Sequence, residues 1–268
     1  MRATIRGLLD ELDQSLACND EIIRWASPVP VFGDLKIAKV ATLGLNPSNR
    51  EFVNAIGEPL TGELRRFHSL ATLGLVRWSS ASDKQIDEII DSCRQYFFNN
   101  PYDAWFRSLD NILLEAGFSY YSKERHACHL DLVPYATKIK WGSLGMGSKE
   151  ILLNSSKNLI GNILQSYSIS VLLLNGQGVV NLFCDLLDSP LEATSIDGWK
   201  LARSNGSYVE GRAYRGIVTK IAGVDLGRRL LVIGYNHNIQ SSFGVSNQVR
   251  ISIANWIKII VGEFDFET

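Results

Sequence analysis

Four short β-rich apolar runs punctuate the chain: Ala38 to Leu45, His129 to Val133, Ile169 to Leu174 and Leu230 to Tyr235. Stretches with helical spacing of apolar positions separate them, at Asp83 to Phe98, Asp103 to Ala116, Lys149 to Gln165 and Val179 to Leu187. Strands that alternate with helices predict a mostly parallel sheet between helical layers. An opening helix over Ile5 to Leu16 and a closing one over Asn247 to Val261 complete the shell. The expected architecture is therefore α/β, a three-layer α/β/α sandwich around a central, mostly parallel, four-stranded sheet. Between Trp199 and Gly223 apolar and polar residues alternate around Asn205-Gly206, a good turn signal, and this stretch reads as a hairpin inserted at about 197–223. Neither repeats nor low-complexity segments interrupt the pattern, so one domain over 1–268 is expected.

Composition narrows this picture only modestly. With 268 residues, 46% of them hydrophobic and 21% charged, the chain is long enough to bury one large core. A formal net charge of −1 gives no global attraction to phosphate, so nucleic-acid binding would rest on a local basic face. No apolar run reaches membrane-spanning length and the first residues lack a signal-peptide core, which makes a cytoplasmic monomer without membrane contact the expectation. Cys18, Cys93, Cys128 and Cys184 are scattered with no C-x-x-C pair, so reduced thiols and no metal are expected. His126 and His129 flank Cys128, but a strand alternates its faces and no fourth ligand is evident, which makes them packing histidines.

Candidate chemistry concentrates at the ends of the apolar runs. In an open α/β sheet, ligands gather beyond the carboxyl ends of the strands, where Gly44-Leu45-Asn46-Pro47-Ser48 follows the first run. Gly44 permits close backbone approach, Pro47 stiffens the turn, and the Asn46 amide can hold a water, although Asn-Pro-Ser also makes an ordinary turn. The second run passes through Asp131 into Pro134-Tyr135, and Asp131 either faces a ligand, caps a turn or pairs with Lys138 or Lys140. The last run leads into Asn236-His237-Asn238-Ile239-Gln240-Ser241-Ser242. After the third run, Asn175-Gly176-Gln177-Gly178 hints at a dinucleotide fingerprint, but position 181 is Asn where a third glycine is expected. No P-loop, nucleophile elbow or Cys/His triad pattern is present.

The Gly-x-Asn-Pro turn after a buried strand, paired with a late strand running into His237, resembles the uracil-DNA glycosylase superfamily, over roughly residues 38–260 in motif order. That resemblance implies a cofactor-free enzyme that flips a nucleotide from DNA and hydrolyses its glycosidic bond, with Asn46 positioning water and His237 steadying the departing base at its O2. It implies substrate contacts from Gly44, Leu45, Pro47, Ser48 and Asn175, a stacking aromatic at Phe67, and a base-reading residue at Asp131. Where the strictest uracil-specific branch has a tyrosine that blocks pyrimidine C5, this chain has Ser48, which leaves that side open. Where many members carry an Asn, Asp131 offers a carboxylate, an acceptor suited to the amino group of cytosine and opposed to the O4 of uracil. The two departures together point to a C5-modified cytosine, including the glucosylated hydroxymethylcytosine of certain phage genomes, in defence or repair.

The family pattern His-Pro-Ser-Pro-Leu-Ser becomes His237-Asn238-Ile239-Gln240-Ser241-Ser242 here, so both prolines and the duplex-wedging leucine are lost. Gln240, Ser241, Ser242 and Phe243 are the expected DNA contacts at this motif, with Arg65, Arg66, Lys138, Lys140 and Arg250 as candidate phosphate ligands. No lysine stands at a Schiff-base position, so base removal without strand cleavage is expected. The other readings are a uracil or mismatch repair glycosylase, a non-catalytic reader of modified DNA, and a Rossmann-like nucleotide-binding enzyme.

Overall fold

The computed structural model describes residues 1–100, 104–203, 206–240 and 245–266, and the four apolar runs lie side by side in it. In chain order the elements are α1 (Arg2–Asp13), β1 (Val31–Phe32), β2 (Val40–Gly44), α2 (Asp83–Arg94), α3 (Tyr96–Asn99), α4 (Ala104–Glu115) and β3 (Ala127–Asp131). They continue with α5 (Met146–Ser155), α6 (Leu159–Ser166), β4 (Val171–Asn175), α7 (Gln177–Cys184), β5 (Glu192–Ser195), β6 (Leu201–Ala202) and β7 (Tyr208–Val209). β8 (Arg212–Ile221), β9 (Val224–Tyr235) and α8 (Asn247–Gly262) close the chain.

The main sheet has seven strands in the order β1-β3-β2-β4-β9-β8-β5, three more than the four expected. The inner four, β3, β2, β4 and β9, are parallel and carry the apolar runs, because strands covered on both faces are mostly apolar. The additional three are antiparallel and flank this centre, β8 lying between β9 and the edge strand β5, and composition hides the edges: β1 is two residues long behind Pro28 and Pro30, and every residue of β5 is exposed. Much of the stretch read as an inserted hairpin belongs to the sheet itself, since β8 pairs with β9 through a tight turn at Ala222 and Gly223, both at positive φ. Only β6 and β7 form a separate two-stranded ribbon. The pattern over 149–165 breaks into α5 and α6 around Ser156, whose side chain is buried.

The parallel register decides which side chains share a face. Thr42 lies opposite His129 and Leu173, Gly44 opposite Asp131, and Asn175 opposite Tyr235. Alternation along each strand then puts Thr42, Gly44, His129, Asp131, Leu173, Asn175, Ile233 and Tyr235 on one face. α4 covers that face, with the Phe106 ring 5.2 Å from that of His129. α7 packs on the other, where Val180 reaches Gly234 and Gly178 approaches Leu45. Among the described residues no helix is long and apolar enough to cross a membrane.

Candidate functional site

Pairing between β2 and β3 continues past the strands themselves: Leu132 N–H donates to Gly44 O at 3.1 Å and Val133 N–H to Leu45 O at 3.0 Å. The two loops that follow are therefore held together, and Asn46 lies between them. Its Nδ2 donates to Tyr135 O at 3.3 Å, Thr137 Oγ1 at 3.1 Å and Pro47 O at 3.2 Å. Thr137 Oγ1 spends its own proton on Ile139 O at 2.7 Å, so it accepts from Asn46, and with two carbonyls as the other partners the amide can only face this way. Asn46 is half-buried, and its Oδ1 has no partner among the described residues, which leaves an acceptor at the carboxyl end of β2 on a side chain that cannot swing. Ser48 is exposed and caps the following 3₁₀ turn by accepting from Arg50 N–H, while Asn49 Nδ2 donates to Lys138 O at 3.1 Å. Pro47 is buried and Leu45 half-buried, so this loop is rigid on its inner side.

Beneath Asn46, Gly44 is tightly enclosed. A Cβ there would stand 2.4 Å from Asp131 Oδ1 and 2.8 Å from His129 Nε2, so only a glycine lets the carboxylate and the imidazole close over the strand. Asp131 is 3% exposed and faces His129, Nε2 to Oδ1 3.3 Å, rather than Lys138 or Lys140. The other nitrogen of His129, Nδ1, is 2.6 Å from Thr42 Oγ1, which in turn is 2.5 Å from the Tyr120 hydroxyl. Phe32, Trp105 and Phe106 wall the imidazole at ring distances of 5.2 to 5.6 Å. Burial pushes the Tyr120 phenol far above its ordinary range, so it remains a proton donor. His126 is a packing histidine, stacked on Phe98 and accepting from Asp34 N–H at its Nε2.

On the neighbouring strands Tyr235 donates to Asn175 Oδ1 at 2.8 Å, and Asn175 Nδ2 donates to Gln240 Oε1 at 2.9 Å. Gln240 Nε2 is buried without a partner among the described residues. His237 turns away from this group: it is buried, and its Nε2 donates to the carbonyl of Trp199 at 2.6 Å. Burial lowers its pKa, partly offset by that carbonyl, so the ring favours the neutral form with its one N–H already bonded. Ser241, Ser242 and Phe243 lie outside the described residues.

Phe67 occupies the core. It stacks on Tyr96 at 5.3 Å and 10°, and meets Phe32 edge-on at 5.4 Å. A base could stack on it only after this aromatic cluster opened. Arg66 pairs with the buried Glu51, which also accepts from the Tyr96 hydroxyl, and Arg65 donates to His68 Nδ1. Lys138 is exposed beside the Asn46 loop, the best placed of the basic candidates to meet a ligand there. A cleft of about 390 Å³, lined by Ile5, Val31, Asp34, Lys36, Asp87 and Tyr167, includes none of the carboxyl-edge residues.

A scan against models of known protein families finds none that matches this sequence, and a search of curated proteins finds no match. Of those singled out in the sequence, Gly44, Asn46, Asp131 and Asn175 converge at one edge of the parallel sheet, with Leu45, Pro47, Ser48 and Lys138 around them, while Phe67, Arg65, Arg66 and His237 are engaged elsewhere. Sequence reasoning missed Thr137, which holds Asn46, and Thr42, which meets His129. Thr42 carries a readable signal, a hydroxyl in the middle of a run that is otherwise apolar at every neighbouring position from 40 to 45.

Proposed function

We propose that the protein is a monofunctional DNA glycosylase that hydrolyses the N-glycosidic bond of a pyrimidine nucleotide, with C5-modified cytosine, glucosylated hydroxymethylcytosine included, as its preferred base. The observation that carries the reading is the fixed Asn46 amide, its Nδ2 tied to Tyr135 and Thr137 and its Oδ1 open at the strand end. An amide is a poor base. It suits a reaction in which the bond to the base breaks first, the bonding pair leaves with the base, and an oriented water then adds to the sugar cation, its released proton being taken up by the anionic base. Asp131, a carboxylate on the same sheet face, favours an amino-bearing edge, and the small exposed Ser48 leaves the C5 side open.

His237 enters this scheme only if its bond to Trp199 O is exchanged or its Nδ1 is protonated, because its single donor is occupied. That occupied donor, and Phe67 packed in the core, favour a second reading: a binding protein that holds modified DNA without turnover. The two separate in one assay, abasic-site formation on matched duplexes carrying cytosine, uracil, 5-hydroxymethylcytosine or its glucosylated form, with Asn46→Ala as control. A glycosylase of the proposed specificity gives abasic sites on a modified cytosine and loses them in Asn46→Ala. Cleavage of uracil alone would keep the activity and overturn the specificity. Binding without abasic sites, indifferent to Asn46→Ala, would establish the reader.

A further inference from the structure

The described residues contain a buried polar file that the reaction scheme above leaves unused: Tyr120, Thr42, His129 and Asp131, none more than 3% exposed. Such a file is costly to bury unless every proton has a destination. One assignment gives the Tyr120 and Thr42 protons each an acceptor and turns the His129 N–H toward the carboxylate. The Tyr120 hydroxyl has no partner other than Thr42 among the described residues, so its proton must go to Thr42 Oγ1. Thr42 then has only its own proton to offer, and offers it to His129 Nδ1. A ring that accepts at Nδ1 carries its N–H on Nε2, the nitrogen that stands 3.3 Å from Asp131 Oδ1. With the file reversed, Tyr120 would bury an unbonded proton and His129 would turn a lone pair toward a carboxylate.

Resting on the glycosylase reading, we propose that Thr42 and His129 are specificity-determining positioning residues: Thr42, donating to Nδ1, anchors the His129 ring with its N–H on Nε2, and that Nε2–H is directed at one oxygen of Asp131 so that the other is presented to the base as an acceptor. The base's exocyclic amino group is thereby selected over a carbonyl by a hydrogen bond whose direction is set two residues away. The phenyl rings of Phe32 and Phe106 and the Trp105 indole keep the imidazole in this plane, and the bare Cα of Gly44 gives it room. Neither Thr42 nor His129 touches the substrate.

Two measurements on the full chain test this. Imidazole nitrogen NMR, with His129 assigned through His129→Gln, is expected to give the Nε2–H tautomer for His129 in the wild type and, in Thr42→Val, an Nε2–H ring whose Nδ1 resonance moves to that of an unbonded acceptor nitrogen. An Nδ1–H ring in the wild type would overturn the proposal, even if Thr42→Val failed to fold. The preference for modified cytosine over uracil, read as a kcat/KM ratio, is expected to fall about tenfold in Thr42→Val, the size of one base-edge hydrogen bond, and to return in Thr42→Ser. Tyr120→Phe, which leaves the Thr42 proton in place, is expected to keep the ratio within about twofold. A wild-type preference that survives Thr42→Val would sink the inference and leave the glycosylase standing. If no substrate yields abasic sites, the glycosylase reading fails instead, and the same ratio is read from dissociation constants on the same duplexes. If those show no base preference in the wild type, the inference fails too.

Discussion

Replacing Gly44 with alanine isolates the closest contact in the site. Its backbone is not at positive φ, so alanine is conformationally acceptable there, and in a strand interior the change would ordinarily stabilise by about 0.5–1 kcal/mol. Here the new methyl carbon would meet Asp131 Oδ1 at 2.4 Å, and the carboxylate must withdraw by at least 0.6 Å to reach the 3.0 Å below which such contacts essentially do not occur. His129 cannot yield in compensation, since Thr42 holds its Nδ1 and three aromatic rings enclose it. Overpacking of a filled interior costs about 1–3 kcal/mol, which outweighs the gain in strand propensity. A net loss of about 1–2 kcal/mol is expected, lowering Tm by roughly 2–6 °C for a chain of this size. Calorimetry and urea unfolding at pH 7 read it directly. In an Asp131→Ala background the same substitution should be milder by about 0.5 kcal/mol or more, the coupling expected of residues in contact. A Gly44→Ala protein as stable as wild type, or strictly additive losses in the double variant, would refute the packing argument.

Other consequences can be checked alongside. Thr137→Val removes one acceptor of the Asn46 amide and the donor to Ile139 O, and should cost about 1–2 kcal/mol in stability; on the glycosylase reading it should lower kcat about tenfold or more with KM nearly unchanged, since the water would be misplaced and DNA still bound. Lys138→Glu should weaken DNA binding across all sequences and reduce the slope of log affinity against log salt by about one, measured by fluorescence anisotropy, if this exposed lysine meets a phosphate. His68, buried and beside Arg65, has its pKa lowered to about 4, first by burial and then by the guanidinium. The unfolded chain therefore takes up a proton that the folded one refuses as pH falls from about 6.5 toward 4, and this stability is present above that window and lost through it. Between pH 7 and 4.5, His68→Gln should flatten the loss of unfolding free energy by about 2 kcal/mol, and an unchanged slope would contradict the assignment.

The parallel heart of the fold was legible because a strand covered on both faces is mostly apolar, and the four runs each became an inner strand. The edges were not, because β1, β5 and β8 meet different demands: Glu192 to Ser195 are all exposed, and β8 mixes arginine and lysine with apolar residues because much of it faces water. In the site, Asn46 announced itself through its turn residues. Thr137 could not, since its role depends on two loops brought together by hydrogen bonds between β2 and β3 that no local pattern encodes. Phe67 shows the opposite failure: an aromatic suits a stacking surface and a core equally well, and only packing against Phe32 and Tyr96 decides between them. His237 was placed correctly after its strand, but the carbonyl that takes its proton comes from Trp199, nearly forty positions earlier and across the small ribbon.

Gly44, Asp131, Asn175 and Tyr235 meet at one sheet edge although the chain between the first and last runs through most of its length. No short contiguous fragment contains the site, and much of its support comes from distant positions, as Thr137 to Asn46 and Tyr235 to Asn175. During folding these groups come together only when the last long-range strand, β9, has docked beside β4, a slow class of event because loop closure precedes any gain from pairing. A nascent chain still on the ribosome thus holds Asn46 and Asp131 long before Tyr235 has been made, and the edge is complete only once synthesis has passed β9.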